Sequence, residues 1–318
     1  MEEDAPVKTR KPILLIALGG NALIRNGQKG TIAEQFANLR EPARQIAKLS
    51  ESYRIIITHG NGPQVGNLLL QQECCSAVPQ LPLEMLVAQT EGQIGYMIES
   101  TLDEALMERG IDYRPLVTLI TYVVVDQDDP SFKNPTKPIG PAYLEAQAAT
   151  LPYPTVKTHK GYRRVVVSPK PVTIVEKKEI GHLIDSDFIV VCCGGGGIPV
   201  VRQGRAFAGV NAVIDKDLAS ALLACEVGAD FLVITTDVPG AMLHYGTARE
   251  ELIGSMSVSE ALQYLDAGHF ASGSMQPKVE AAVQFVQHTK KRAAITALEN
   301  IEAAVEAGAA TQVVLERQ

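Results

Sequence analysis

Missing from the 318-residue sequence is any apolar run near membrane-spanning length, about 20 residues, which excludes a helical membrane protein. The five cysteines fall as the adjacent pairs Cys74–Cys75 and Cys192–Cys193 and as Cys225, none with CxxC metal-ligand spacing. Adjacent pairs do not build a disulfide framework, so a reducing, cytoplasmic setting is expected. No lysine and arginine cluster offsets the net charge of −7, which argues against non-specific nucleic-acid binding. The opening MEEDAPVKTRKP has no apolar segment and does not read as a secretory signal. No GxxxxGK followed by Ser or Thr occurs, so a Walker-type phosphate loop is excluded. What is present is 46% apolar and 20% charged residues, a globular composition with ample core for one large or two ordinary domains.

Short apolar runs alternate with helical patterns. ILLIAL (13–18), YRIIIT (53–58), FIVVCC (188–193), FLVITT (231–236), RAAITAL (292–298) and TQVVLE (311–316) read as buried strands, and LVTLITYVVV (116–125) as a longer one. Helices are expected near 31–49, 63–73, 84–108, 216–227, 257–267, 277–289 and 300–307. This alternation predicts an α/β fold with a mostly parallel sheet covered by helices on both faces. Residues 126–171 break the pattern. QDDPSFKNPTKPIGP and GYRRVVVSPKP hold too many structure breakers for a sheet strand or long helix, in a stretch too long for a plain loop, which predicts a small ordered subdomain or lid.

Glycines follow the strands. ILLIAL runs into Gly19-Gly20-Asn21, YRIIIT into His59-Gly60-Asn61-Gly62, FIVVCC into Gly194 to Gly197, and FLVITT into Asp237. Ligands of open α/β sheets bind beyond the carboxyl ends of strands, where glycine lets backbone N–H groups close on an anion. Asn21 and Asn61 read equally as ligand donors or as left-handed turn residues. His59 reads as a general base or, as is commoner for a lone histidine, as structural. GNGPQVG (60–66) has GxGxxxG spacing with no acid-ended strand at the right distance, a poor dinucleotide match.

Three lysines sit where local structure alone would not put them. In AVIDKDLASALLA (212–224) and the Cys225 that follows, Leu218, Ala221, Leu222 and Cys225 share a helix face, so Lys216 lies at the helix start between Asp215 and Asp217. A carboxylate suits that position; an ammonium opposes the helix dipole by about 0.3–1 kcal/mol unless an anion faces it. Lys278 repeats the anomaly beside Pro277. Lys137 is flanked by prolines in NPTKPIGP, although Lys133 and Lys170 have similar surroundings. Phosphoryl transfer needs positioning and positive charge more than covalent help, which is what such lysines supply.

Together these stretches resemble the carbamate kinases of the amino acid kinase family. ALGGNAL (17–23), THGNGPQVG (58–66), NPTKPIGP (134–141), GYRRVVVSPKP (161–171), GGGGIPVV (194–201), AVIDKDLASALLA (212–224), TTDV (235–238) and GSMQPKVEAA (273–282) carry the resemblance in order along almost the whole chain. The resemblance implies a three-layer α/β/α sandwich with two lobes. Residues 1–225, with a protruding subdomain at about 126–171, would hold carbamate or carbamoyl phosphate; residues 226–318 would hold ATP or ADP with Mg²⁺, in a homodimer. It implies Lys137, Lys216, Asp217 and Lys278 as the catalytic set, Lys137 standing in for a lysine that other family members carry just before the first glycine pair. Substrate would lie on Gly19, Gly20, Asn21, Gly60, Asn61, Gly62, Gly195 and Gly196, and the nucleotide near Thr236, Asp237, Tyr245, Gly246, Met275 and Lys278. Departures lie at Gln276, Pro239-Gly240 and HTKKRA (288–293), all in the nucleotide lobe. The rival readings are a kinase of the same family with another small carboxylate-like acceptor, a regulator that kept the fold without catalysis and, more distantly, a dinucleotide oxidoreductase.

Overall fold

Each central strand is apolar at every position because both of its faces are buried. In β1 (Ile13–Leu18), Ile13, Leu15 and Ala17 enter one core while Leu14, Ile16 and Leu18 enter another. Side chains alternate across a strand, so a continuous apolar run requires helices on both sides of the sheet. The computed structural model describes residues 10–158 and 161–316; the first nine residues of MEEDAPVKTRKP lie outside them.

The remaining strands of the central sheet are β2 (Arg54–His59), β3 (Leu116–Thr118), β4 (Ile189–Val191), β5 (Phe231–Thr236), β6 (Ser255–Ser257), β7 (Arg292–Ala297) and β8 (Thr311–Val314). They pair in the order β6-β8-β7-β5-β1-β2-β4-β3, parallel throughout except for antiparallel β7–β8. One core lies under α4 (Lys216–Glu226) and α5 (Met275–Thr289), which contribute Ala219, Leu223, Val279 and Phe285. The opposite core lies under α1 (Ile32–Leu49) and α3 (Leu83–Glu108), which contribute Leu39, Ile46, Ile94 and Ile98. The fold is thus mixed α/β with helices on both sheet faces, as the strand–helix alternation predicts. Among the described residues no helix is long and apolar enough to cross a membrane.

Two expectations are corrected. The apolar run 116–125 is not one strand: Leu116–Thr118 joins the central sheet, and Tyr122–Val125 joins a separate four-stranded sheet. The break sits at Thr121, whose hydroxyl donates to Leu119 O (2.8 Å) and whose N–H donates to the carboxylate of buried Glu91 (3.2 Å). A tertiary partner outcompetes the propensity of the run. Residues 126–171, whose structure breakers argued against sheet strands, nevertheless build strands despite their prolines. Lys137–Tyr143, Gly161–Val166 and Thr155–Thr158 make a three-stranded antiparallel sheet in that order. Its ladder is irregular between Ile139 and Tyr143, and Pro138 and Pro141 lie in its edge strand, where a missing N–H is tolerated.

This small sheet docks on α2 (Gly62–Glu73) through two glycines. A Cβ on Gly66 would fall on the backbone of Gly140, which itself holds φ +70°, and would lie 3.1 Å from Ile139 C. Backbone cannot swing aside as a side chain can, so Gly66→Ala is expected to cost about 1–3 kcal/mol of stability. Urea unfolding and limited proteolysis of 137–166 check this. A stability unchanged within about 0.5 kcal/mol would show that the contact does not hold the small sheet.

Candidate active site

Asp215 caps α4, accepting from Asp217 N–H (2.9 Å) and Leu218 N–H (3.4 Å) through Oδ1. That settles which of the two carboxylates starts the helix. Its Oδ2 pairs with Lys137 Nζ, so the docked small sheet brings its lysine to the helix start. Lys216 is the first residue of α4 and buried, with 8% exposure. Its ammonium donates to Ala17 O at the end of β1 (3.0 Å) and pairs with Asp217 Oδ1 (2.9 Å). The other oxygen of Asp217 accepts from Lys278 Nζ (2.9 Å), which arrives from the first turn of α5. Three lysines from distant segments therefore meet on the Asp215-Lys216-Asp217 turn. Lys133 and Lys170, indistinguishable from Lys137 by neighbourhood, are exposed.

The electrostatics follow from burial. Desolvation lowers the Lys216 pKa to about 8, and the charge of Lys278 adds to it, against the attraction of Asp217. Burial alone would raise Asp217, but Lys216 and Lys278 hold its carboxyl far below the usual carboxylate range. The helix start is pinned to β2 as well: Ser220 Oγ donates to Lys216 O (2.5 Å) and contacts Thr58 Oγ1 (2.6 Å).

The glycine loops converge on the same place. A Cβ on Gly60 would meet Gly20 N at 3.6 Å and Lys216 Cδ at 3.7 Å, so the ends of β1 and β2 and the lysine share one spot. Gly195 lies against the Asn61 side chain, and a Cβ on Gly194 would come within 2.5 Å of His59 Nε2 and 3.0 Å of Glu91 Cγ. In the turn from Cys193 to Gly197, all but Gly194 have positive φ. Successive backbone N–H groups in such turns form anion-binding concavities.

Neither asparagine occupies a left-handed turn. Asn21 Nδ2 donates to Thr236 O (2.7 Å) and Asn61 Nδ2 to Thr90 Oγ1 (2.9 Å), so both side-chain amides tie loops to the frame. His59 is buried, its pKa lowered by desolvation to about 4, and its Nδ1 lies 3.2 Å from Gly60 O. That places it as a neutral structural residue. Of the expected nucleotide contacts, Thr236 is buried at the end of β5, Asp237 is exposed beside it, Met275 opens α5, and Tyr245 is 63% exposed next to Gly246. Lys278 joins the lysine cluster and Thr236 O holds the Asn21 loop, whereas Tyr245 and Gly246 stand on an exposed turn.

Thr90 and Glu91 on α3 were not legible as site residues. Glu91 is 1% exposed, accepts from Thr121 N–H, and its burial raises the carboxyl well above the ordinary carboxylate range. Its signal was present but faint: it falls with Val87, Ile94 and Ile98 on the buried helix face, where a carboxylate is out of place.

A parallel sheet with glycine loops and clustered cations at its strand ends defines a phosphoryl-transfer protein by class. The family model described as the amino acid kinase family matches residues 12–297, and the chain belongs to that family. Within it, the chain is 47% identical over 309 residues to a carbamate kinase of Pyrococcus horikoshii, covering 94% of this chain and 98% of the relative. It is 45% identical over 296 residues to a carbamate kinase of Trichomonas vaginalis, covering 90% and 94%. Among solved structures, carbamate kinase from Giardia lamblia bound to citric acid superposes with a TM-score of 0.90 at 38% identity, covering 96% of this chain and 98% of that one. The same Giardia enzyme bound to AMP-PNP superposes with a TM-score of 0.86 at 39% identity, covering 96% and 98%.

Proposed function

We propose that the chain is a carbamate kinase, an ATP-dependent phosphotransferase that moves a phosphoryl group reversibly between carbamoyl phosphate with ADP and carbamate with ATP, working in the ATP-forming direction. The observation that carries this reading is the meeting of Lys137, Lys216 and Lys278 on one turn, at the strand ends where the glycine loops also meet. Carbamoyl phosphate would rest on the backbone of Gly19, Gly20, Gly60, Gly62, Gly195 and Gly196, with Asn21 and Asn61 holding those loops in place. The three ammonium groups would neutralise the charge on the transferring group, and Asp217 would fix the separation of two of them. The attacking oxygen of ADP is already ionised, so no general base is required, consistent with a neutral, buried His59.

The nucleotide would lie over Thr236, Asp237, Tyr245, Gly246 and Met275, shared with Lys278. A relative that binds AMP-PNP supports that use. Among the described residues no group of three or more His, Cys, Asp or Glu side chains could hold a metal ion. Mg²⁺ would arrive with the nucleotide, held mainly by phosphate oxygens and by water, and would supply further charge neutralisation. We take the chain to work as a cytoplasmic homodimer, with residues 1–225 as the carbamate lobe and 226–318 as the nucleotide lobe. The test is ATP formation from carbamoyl phosphate, ADP and Mg²⁺ in a coupled assay. Carbamoyl-phosphate-dependent ATP synthesis is expected; binding without turnover would favour a regulator that kept only the fold.

A further inference from the structure

We infer that Arg163 is a substrate-binding residue that grips the carbamoyl end of carbamoyl phosphate, an inference that rests on the carbamate kinase reading. Arg163 comes from the central strand of the protruding sheet and is partly buried. Its Nε donates to Gly140 O (3.0 Å), at the glycine contact that docks the small sheet. Among the described residues that is the single hydrogen bond of its side chain, and no carboxylate pairs with it. Its pKa is lowered, with burial as the cause. By contrast the neighbouring Arg164 is matched: it pairs with Glu73 (2.6 Å) and lies over the Tyr153 ring, 4.2 Å from its centre. A desolvated guanidinium with no counter-charge is costly, and proteins pair such groups unless a ligand does so.

The free end of Arg163 points to the site. One terminal nitrogen lies 3.8 Å from where a Cβ on Gly62 would stand, and Pro138 O lies 3.9 Å from the same point. Gly62 opens α2, and Asn61 before it gives the helix no side-chain cap. Two residues earlier, Gly60 faces Lys216. The same short loop thus meets the lysine cluster at one end and the guanidinium at the other. The ends of the substrate can be assigned from the sheet order. Lys278 comes from α5, which packs on β7 and β5, where the nucleotide would lie; Lys216 sits at the end of β1, and Arg163 comes from the small sheet docked on α2, beyond β2. The phosphoryl group must face the nucleotide, which leaves the planar carbamoyl group for Arg163. A guanidinium fork matches a planar oxygen acceptor, and it matches the carboxylate-like carbamate product still better.

The experiment compares the full-length protein with Arg163→Met, which keeps the apolar stem, and Arg163→Lys, which keeps the charge without the fork. Loss of a charged hydrogen bond to substrate is expected to raise the KM for carbamoyl phosphate by about 10- to 100-fold in Arg163→Met. The KM for ADP and competitive inhibition by inorganic phosphate should change by less than about twofold, since neither ligand has a carbamoyl end. Arg163→Lys should recover only a small part of the loss. Retained ADP binding and an unchanged thermal midpoint separate a site effect from misfolding. An unaltered KM for carbamoyl phosphate would overturn the inference, as would an equal weakening of inorganic phosphate, which would put Arg163 on the phosphoryl group instead. Were the parent protein to bind carbamoyl phosphate calorimetrically without making ATP, the kinase reading would fail; loss of that binding in Arg163→Met would still support the role of the arginine.

Discussion

Lys216→Met is expected to lower kcat for ATP formation about a thousandfold while leaving the chain folded. Two unit charges about 4 Å apart at an effective dielectric near 20 attract by roughly 4 kcal/mol, and each 1.36 kcal/mol is tenfold in rate. Methionine fills the volume of the buried lysine stem and removes a cation that burial penalises. Asp217 retains Lys278 as its partner (2.9 Å), so no carboxylate is left alone. Activity should therefore fall far more than stability. The depressed Lys216 pKa adds two pH signatures of opposite sign. Above about pH 8 the ammonium of the free enzyme loses its proton, so kcat/KM for carbamoyl phosphate should fall there. Folded Lys216 titrates at about 8 and the unfolded residue near the ordinary lysine value of 10.5, so between those pH values the unfolded chain binds more protons. This group's contribution to stability accordingly rises with pH across that window. Both signatures should be absent in Lys216→Met, as measured by pH–rate profiles and by urea unfolding at several pH values. A variant retaining a tenth or more of parental kcat would remove Lys216 from the transfer step.

Asp217→Asn is expected to have the larger effect on stability. Its carboxylate touches Lys216 and Lys278 at 2.9 Å each and is 4% exposed, so the amide would leave two buried ammonium groups facing one another without their shared counter-charge. Removing one partner from a buried ion pair costs about 3–5 kcal/mol. Activity should fall with it, because the repelled lysines no longer hold their spacing. The sign with pH is the same as that for Lys216, since both folded-state pKa values are lowered, but the window lies in acid. Asp217 has a depressed pKa in the folded state, so its contribution is present above the unfolded carboxylate value, about 3.9, and is lost as pH falls below that. The gap between parent and Asp217→Asn should accordingly be wide at pH 7 and narrow under strong acid. Denaturant titration at both pH values is the measurement, and equal stabilities at neutral pH would show that the two lysines need no bridge.

The readability of the chain followed the range of the forces involved. The strands at 13–18 and 231–236 have the predicted bounds because their apolar runs reflect burial on both faces, which the sequence carries directly. The strand break at Thr121 was not readable, since it depends on Glu91 lying 30 residues earlier in the chain. The strands of 137–166 were hidden by prolines whose cost depends on being at an edge, which is a property of the sheet and not of the residue.

From sequence alone came the alternation that fixes an α/β sheet, the glycines at strand ends, and three lysines at odds with their local surroundings. Those are local conflicts, and a helix dipole or a rotamer preference registers them without knowledge of the rest of the chain. Tertiary structure decided the partners: Lys137 on Asp215, Lys278 on Asp217, and Arg163 turned toward Gly62 with no counter-charge of its own. Coulomb energy depends on separation in space, and residues 61 or 78 positions apart come together only when the central sheet and the docked small sheet have formed.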